Sequence, residues 1–292
     1  MTYRTGVAFR RALEDRLARE SAATGAPLTR LRKLVAFERL LARLVQADPE
    51  SWLLKGGLLL QLRLGILARA TKDIDVLLLA SPDETTEALV RAGTLDLGDW
   101  FSFAIRRDSA VLPGIALGGR RFFVTASVGG RTFESFHIDV GSGDPVIEPA
   151  EYLTMSPLLA FADIPPVTVP CYPLTQHLAE KVHAYVLPRG MGESSRVKDL
   201  VDIVLIADHF SIDARKLEAA IKATFDARLD AAPMRLPEPP PAWSAPYRNL
   251  AAEVALQQQT LFEGYLAAQR FLDPILIGEA RGVWSSEAQA WS

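Results

Sequence analysis

The chemistry in this sequence concentrates between residues 55 and 75, KGGLLLQLRLGILARATKDID. Asp73 and Asp75 flank Ile74 at the start of an apolar run. Side chains alternate faces along a strand, so the two carboxylates point one way and Ile74 the other. Two carboxylates on one face repel unless something cationic sits between them. Mg2+ (or Mn2+) suits this role, because it takes oxygen ligands and binds through one or two carboxylates together with substrate phosphates. Upstream, Gly56-Gly57 opens a short predicted helix. Free backbone N–H groups at a helix N-terminus bind phosphate, and glycine lets it approach closely. A third acid, Asp139 in the run His137-Ile138-Asp139-Val140, joins the pair if its strand lies beside that of Asp73 and Asp75. Three acids around two metals are the apparatus of in-line nucleotidyl transfer: one metal activates the attacking hydroxyl and the other stabilises the leaving pyrophosphate. Taken singly, a DxD, a Gly-Gly turn and an Asp at a strand end are all commonplace. Their order and spacing carry the weight.

The elements that must position these residues follow from pattern. The chain has 292 residues, enough for two domains, with ordinary globular composition (49% hydrophobic, 23% charged). Apolar spacing predicts helices over about 6–22 and 28–46, with Thr29 a cap near the second. A short helix over Gly57–Leu64, a buried strand over Ile74–Leu79 and a helix over Glu84–Ala92 come next, followed by strands over Phe101–Arg107, Arg121–Val128 and Arg131–Val140. Gly129-Gly130 suits a tight hairpin between the last two strands. The fold class is therefore α/β (α+β), with a mixed or largely antiparallel sheet. Helices are predicted over Leu174–Val186, Lys198–His209, Ala214–Arg228 and about Leu250–Phe271, and the prolines of 233–246 suggest an extended connector. The expected division is a basic helical segment (1–48), a catalytic core (49–150) and a helical C-terminal domain (151–292).

Residues 1–45 carry ten Lys/Arg and four Asp/Glu, a local charge of +6 within a chain whose net charge is −3. The total excludes a wholly basic nucleic-acid binder but leaves room for a local phosphate-binding flank built from Arg10, Arg11, Arg16, Arg30, Arg32, Lys33, Arg39 and Arg43, with Arg106, Arg107, Arg120 and Arg121. A solvated helix face is the plainer alternative. The single cysteine, Cys171, excludes an intramolecular disulfide framework and has no base beside it in sequence. No signal peptide or membrane-length apolar run is evident, so a cytoplasmic protein is expected. His177 and His183 do not share a helix face and are no zinc pair. His137 shares a face with Asp139, and a structural role suits it best.

The run Lys55-Gly56-Gly57 to Arg69-Ala70-Thr71-Lys72-Asp73-Ile74-Asp75 resembles the opening motif of the AbiEii/AbiGii nucleotidyltransferase toxins, in the DNA polymerase β-like superfamily. Downstream, Ala179-Glu180-Lys181-Val182-His183-Ala184 and Arg196-Val197-Lys198-Asp199-Leu200-Val201-Asp202 are similar to that family's C-terminal motifs, over roughly residues 30–210. The chain looks closest to the MenT group of type IV toxin–antitoxin toxins. The resemblance implies a polymerase-β-like core in which Asp73 and Asp75 hold metal, Asp139 is the least secure third ligand, and Lys55, Gly56, Gly57, Arg69, Thr71, Lys72, Arg196 and Lys198 bind nucleotide. Lys181 and Asp202 match a Lys and an Asp that the family needs for toxicity. Taken alone, that pair reads more plainly as a bridge between two helices. Gly57 departs from the Gly-Ser pair usual in the superfamily, so phosphate contact there falls to backbone.

The implied activity is transfer of a nucleoside monophosphate from an NTP to the 3′ end of tRNA, which blocks aminoacylation and translation, with a cognate antitoxin encoded nearby. AMPylation of a protein, modification of a small molecule, and a non-catalytic binding module remain the alternatives. No motif identifies the NTP or the tRNA.

Overall fold

The computed structural model describes residues 3–79, 82–112, 119–187 and 196–292. They form two compact units that cut across the three expected segments. The first comprises residues 1–65, 70–143 and 150–172; the second comprises residues 66–69, 144–149 and 173–292.

The first unit is a seven-stranded mixed sheet with helices on it. Its strands are β1 (Trp52–Lys55), β2 (Asp73–Leu78), β3 (Phe101–Leu112), β4 (Gly119–Val128), β5 (Arg131–Ser142), β6 (Glu151–Thr154) and β7 (Thr168–Cys171), in the order β3-β4-β5-β2-β1-β7-β6. β2 runs parallel to β5 and β1 parallel to β7, while the remaining neighbours are antiparallel. The helices are α1 (Gly6–Thr24), α2 (Leu28–Ala47), α3 (Gly56–Leu64) and α4 (Pro82–Thr94). α1, α2 and α4 contact β4, β5 and β3. There Phe101, Phe122, Val124, Phe136, Ile138 and Val140 are buried, as alternation along a half-buried strand requires. Phe37 of α2 meets Phe136 edge-on at 4.8 Å.

Several sequence expectations change here. Thr29 does not cap α2, which starts after Pro27 with no side-chain cap; Pro27 supplies the fixed φ that suits a helix start. β1, β6 and β7 are strands that the pattern missed: each has four residues, too few for a period to register. Cys171 lies in β7, and burial pushes its thiol up to about 12.

The expected basic flank is largely consumed by the fold. Arg39 and Arg43 are buried against Asp99, the latter through paired contacts of 2.7 and 2.9 Å. Burial pushes Asp99 up, but the two guanidiniums prevail and hold it below the usual carboxylate range. Arg32 grips Glu14 and the Phe133 carbonyl, and Arg10 donates to the Arg131 and Thr132 carbonyls. An arginine on a helix that packs against a sheet covers apolar surface with its stem and satisfies loose carbonyls with its head. Net charge in sequence does not reveal that use.

The second unit is helical, with α5 (Leu174–Val186), α6 (Val197–His209), α7 (Ala214–Ala227), α8 (Ser244–Glu253) and α9 (Leu261–Leu276), plus a small sheet of β8 (Ile212–Asp213), β9 (Val283–Ser285) and β10 (Ala290–Trp291). The single helix expected over 250–271 is two. Ala255 adopts a left-handed φ of 51°, and Thr260 with Glu263 forms a capping box that starts α9. Pro246, expected in an extended connector, sits in the first turn of α8, where its missing N–H has no intrahelical partner to lose. Trp284 and Trp291 close around Phe271.

Candidate active site

β2 carries the DxD. Ile74 is fully buried, and Asp73 and Asp75 lie half-buried on the opposite face. The parallel register with β5 sets Asp75 beside Asp139 and Asp73 beside His137. The antiparallel register with β1 sets Lys55 on the other side of Asp75, and β4 sets Arg121 beside Asp139. A row of four charged residues, Lys55, Asp75, Asp139 and Arg121, therefore crosses four strands, with cations at its ends and acids at its centre. Arg121 binds Asp139 through two hydrogen bonds of 2.7 and 2.6 Å, and Asp139 in turn keeps the guanidinium's pKa raised. A second row runs alongside. Asp73 Oδ1 lies 3.2 Å from His137 Nδ1, the His137 ring packs edge-on against Phe123 at 4.7 Å, and Arg106 lies over Phe123 at 4.7 Å.

α3 begins at this row. Gly56 has φ +67°, which favours glycine, and a Cβ built there would lie 1.9 Å from Asp75 Oδ2. Lys55 stands at the N-cap of α3 and its own side chain makes no capping bond. The helix thus brings its N-terminal N–H groups and the positive end of its dipole beside Asp75. Gly57 is buried in the first turn. Thr71 Oγ1 donates to the Asp73 carbonyl at 3.2 Å and Lys72 is exposed, so Thr71 fixes the backbone leading into β2.

Among the described residues, no three His, Cys, Asp or Glu side chains are arranged to hold a metal. Arg121 occupies both oxygens of Asp139, and His137 contacts Asp73. Asp73 and Asp75 fit a hard cation by chemistry and by shared face.

The downstream motif residues gather in the second unit. Asp202 of α6, 0% exposed, accepts from Lys181 of α5 at 2.5 Å and from Arg69 through two bonds of 3.0 Å. Burial pushes the Asp202 carboxyl up, but Lys181 and Arg69 prevail and hold it below its ordinary value. Asp199, one turn earlier on the same face, lies 3.6 Å from Lys181 and accepts from Arg196 at 3.0 Å. Three cations and two carboxylates leave one surplus positive charge. Lys198 is exposed, on the outward side of α6. The sequence placed Arg69 with the glycines; the structure places it with Asp202.

Sequence reasoning missed Phe123 and the pairing of Arg121 with Asp139. One signal was available. Buried apolar positions in β5 change phase between Phe133 and Phe136, and there the register with β4 slips by one residue. That slip brings Arg121 opposite Asp139.

A family model described as nucleotidyl transferase AbiEii toxin, type IV TA system, matches residues 39–272. The chain belongs to the AbiEii nucleotidyltransferase toxin family. The match spans both units, so the Asp73/Asp75 strand and the Lys181/Asp202 helices both lie within the AbiEii region. Among solved structures, the fold is similar to MenT4, a nucleotidyltransferase toxin from Mycobacterium tuberculosis, at 18% identity and a TM-score of 0.57, covering 92% of this chain and 99% of that one. JHP933 from Helicobacter pylori aligns at 12% identity and a TM-score of 0.44, over 84% of this chain and 92% of that one. A search of curated proteins returns no match. The AbiEii chain is thus a nucleotidyltransferase toxin with a polymerase-β-like mixed-sheet core. None of its described helices is long and apolar enough to cross a membrane.

Proposed function

We propose that this AbiEii toxin transfers a nucleoside monophosphate from an NTP to the 3′-hydroxyl of tRNA, blocking aminoacylation and so translation, and that a cognate antitoxin controls it. The observation that carries the reading is the pair Asp73 and Asp75 on one face of β2, with the N-terminus of α3 against Asp75.

Asp73 and Asp75 would hold Mg2+ or Mn2+, which supplies Lewis-acid activation of the hydroxyl and charge stabilisation of the leaving pyrophosphate. The backbone at Gly56 and Gly57, with Lys55, cradles the triphosphate on the β1 side of the carboxylates. Asp139 is the third acid of the site once released by Arg121, and Arg121 is then free to meet phosphate. In the second unit, Lys181, with Asp202 and Arg69 fixing its position, is the point charge that the resemblance assigns to nucleotide; Lys198, on the outward side of α6, stands apart from that cluster.

The test is direct. Purified protein with Mg2+, each labelled NTP in turn and total tRNA should label the RNA with at least one NTP; EDTA and Asp73→Ala should each abolish it. Labelling of protein in place of RNA would overturn the tRNA reading.

A further inference from the structure

On the face that carries Asp73 and Asp75, the β5–β4–β3 side of the sheet is open. Ala104, Arg106 and Ser135 are exposed, and Thr125, Phe123 and His137 are half-buried. These residues line a groove of about 480 Å³. Its floor is Phe123, with the Arg106 guanidinium 4.7 Å from the ring centroid and the His137 ring 4.7 Å from it in a T-shaped contact. Its inner end is Asp73, reached through the His137 contact of 3.2 Å. An aromatic ring stacked with a guanidinium on an open polar face is the chemistry with which proteins hold unpaired nucleobases. Stacking is tolerant of base identity, and the cation adds attraction for the adjoining phosphate.

The geometry points to this strip, Phe123 with Arg106 and His137, as the seat of the acceptor strand: it takes the unpaired bases of an RNA 3′ end and aims the terminal hydroxyl at Asp73. The inference rests on the nucleotidyl-transfer reading above. The order of strands selects acceptor over donor. In-line displacement at phosphorus requires the incoming hydroxyl and the departing pyrophosphate on opposite sides of the phosphoryl group. The start of α3, where the triphosphate is proposed to lie, is on the β1 side of Asp75. The strip lies on the β5 side, across the carboxylates from it. In the balanced step, the 3′-oxygen forms a bond to the α-phosphorus, the α–β bridging bond breaks, pyrophosphate leaves with that electron pair, and the hydroxyl proton passes to solvent. The strip acts by position alone.

A seat built this way favours an end that is not base-paired, because a base locked in a pair must first be released from its partner before it can lie singly on Phe123. The probe is a 5′-labelled RNA hairpin with a four-nucleotide unpaired 3′ tail, compared with its blunt-ended counterpart, read by fluorescence anisotropy with the full chain. Tail binding should exceed blunt binding, and Phe123→Ala should weaken tail binding about tenfold. Phe123→Trp should restore it, and Arg106→Ala should weaken it with a shallower salt dependence. Affinity for a fluorescent NTP should be unchanged in Phe123→Ala; an NTP loss instead would place the donor base on the strip and overturn the inference, as would equal tail affinity in wild type and Phe123→Ala, or no preference for the tail over the blunt end. If the tail binds as described but receives no nucleotide, the transfer reading falls and the strip's binding role stands. Transfer that proceeds with wild-type KM for the tail in Phe123→Ala has the reverse meaning.

Discussion

Gly56 and Asp75 touch so closely that no side chain fits between them: a Cβ on residue 56 would fall 1.9 Å from one carboxylate oxygen and 2.5 Å from the carboxyl carbon. Residue 56 also has φ +67°, where an L side chain is strained by about 1–3 kcal/mol. Gly56→Ala is therefore expected to push the Asp75 carboxylate out of place and to cost both stability and chemistry. The thermal midpoint should fall by several degrees, and transfer to RNA should drop at least about a hundredfold, the loss typical of misplaced reacting groups. Gly57→Ala, buried in the first turn of α3 without a positive φ, should be milder on both measures. Equal activity of Gly56→Ala and wild type would show that the position of the Asp75 carboxylate is not critical to transfer.

The Arg121–Asp139 pair makes a different prediction. With Arg121 removed, Asp139 and Asp75 stand as adjacent, opposed carboxylates across β2 and β5. Arg121→Met should lower the thermal midpoint in EDTA. Added Mg2+ or Mn2+ should raise it in proportion to the logarithm of concentration, by more than in wild type, because an ion that binds only the native state stabilises it by mass action. A metal response no larger than that of wild type would show that Asp139 is no ligand.

In the second unit, Asp202 is the buried counter-charge of two cations. Asp202→Ala removes the buried acceptor that Lys181 and Arg69 share, leaving Lys181 to Asp199 at 3.6 Å, and should cost about 3–5 kcal/mol, read as a shift in the urea midpoint. Lys181→Met leaves Asp202 with Arg69 and should cost less, while still lowering activity if Lys181 meets nucleotide. Because the Asp202 carboxyl is held below its ordinary value, its stabilisation is present above the unfolded pKa and is lost as pH falls through the folded one. Wild type should therefore lose stability below about pH 4, and Asp202→Asn should show a shallower loss.

Glu38 of α2 behaves in the opposite sense. It is 1% exposed, and burial pushes its pKa up to about 7 against the pull of Arg39 and of the Val167 backbone N–H. A raised carboxyl keeps its proton in the folded chain after the unfolded chain has lost it. Stability should thus decline as pH rises from about 4.5 to 7, by about 3 kcal/mol in total. Glu38→Gln removes that decline and should be more stable than wild type at pH 8, with little difference at pH 4.5, by chemical denaturation at both values.

How far the sequence discloses the molecule depends on the range of the interaction concerned. The helices α1, α2, α5, α6 and α7, the β2 strand and the β4–β5 hairpin are local patterns and stand where periodicity puts them. The parallel pairing of Asp75 with Asp139 is not among them, because no local pattern reports which strands adjoin. The four-residue strands stayed hidden, since burial of Leu53 and Leu54 comes from neighbours far along the chain. The arginines were the least legible. Arg43 and Arg16 look alike in sequence, yet Arg43 is 0% exposed because Asp99, 56 residues on, folds back onto it. The Phe123 strip required the same tertiary information: its members come from three strands whose relative register turns on one slipped residue.

The strand that bears Arg106 is also an end of the sheet. An edge twelve residues long presents a row of peptide groups that another chain can join, the starting point of aggregation. Here the edge carries two consecutive exposed arginines, Arg106 and Arg107, and its pairing with β4 turns irregular just beyond them. Both features discourage a foreign strand from docking in register. Position 106 thus serves solubility as well as recognition, with Arg107 beside it as a second guard that keeps the edge charged when either one is replaced.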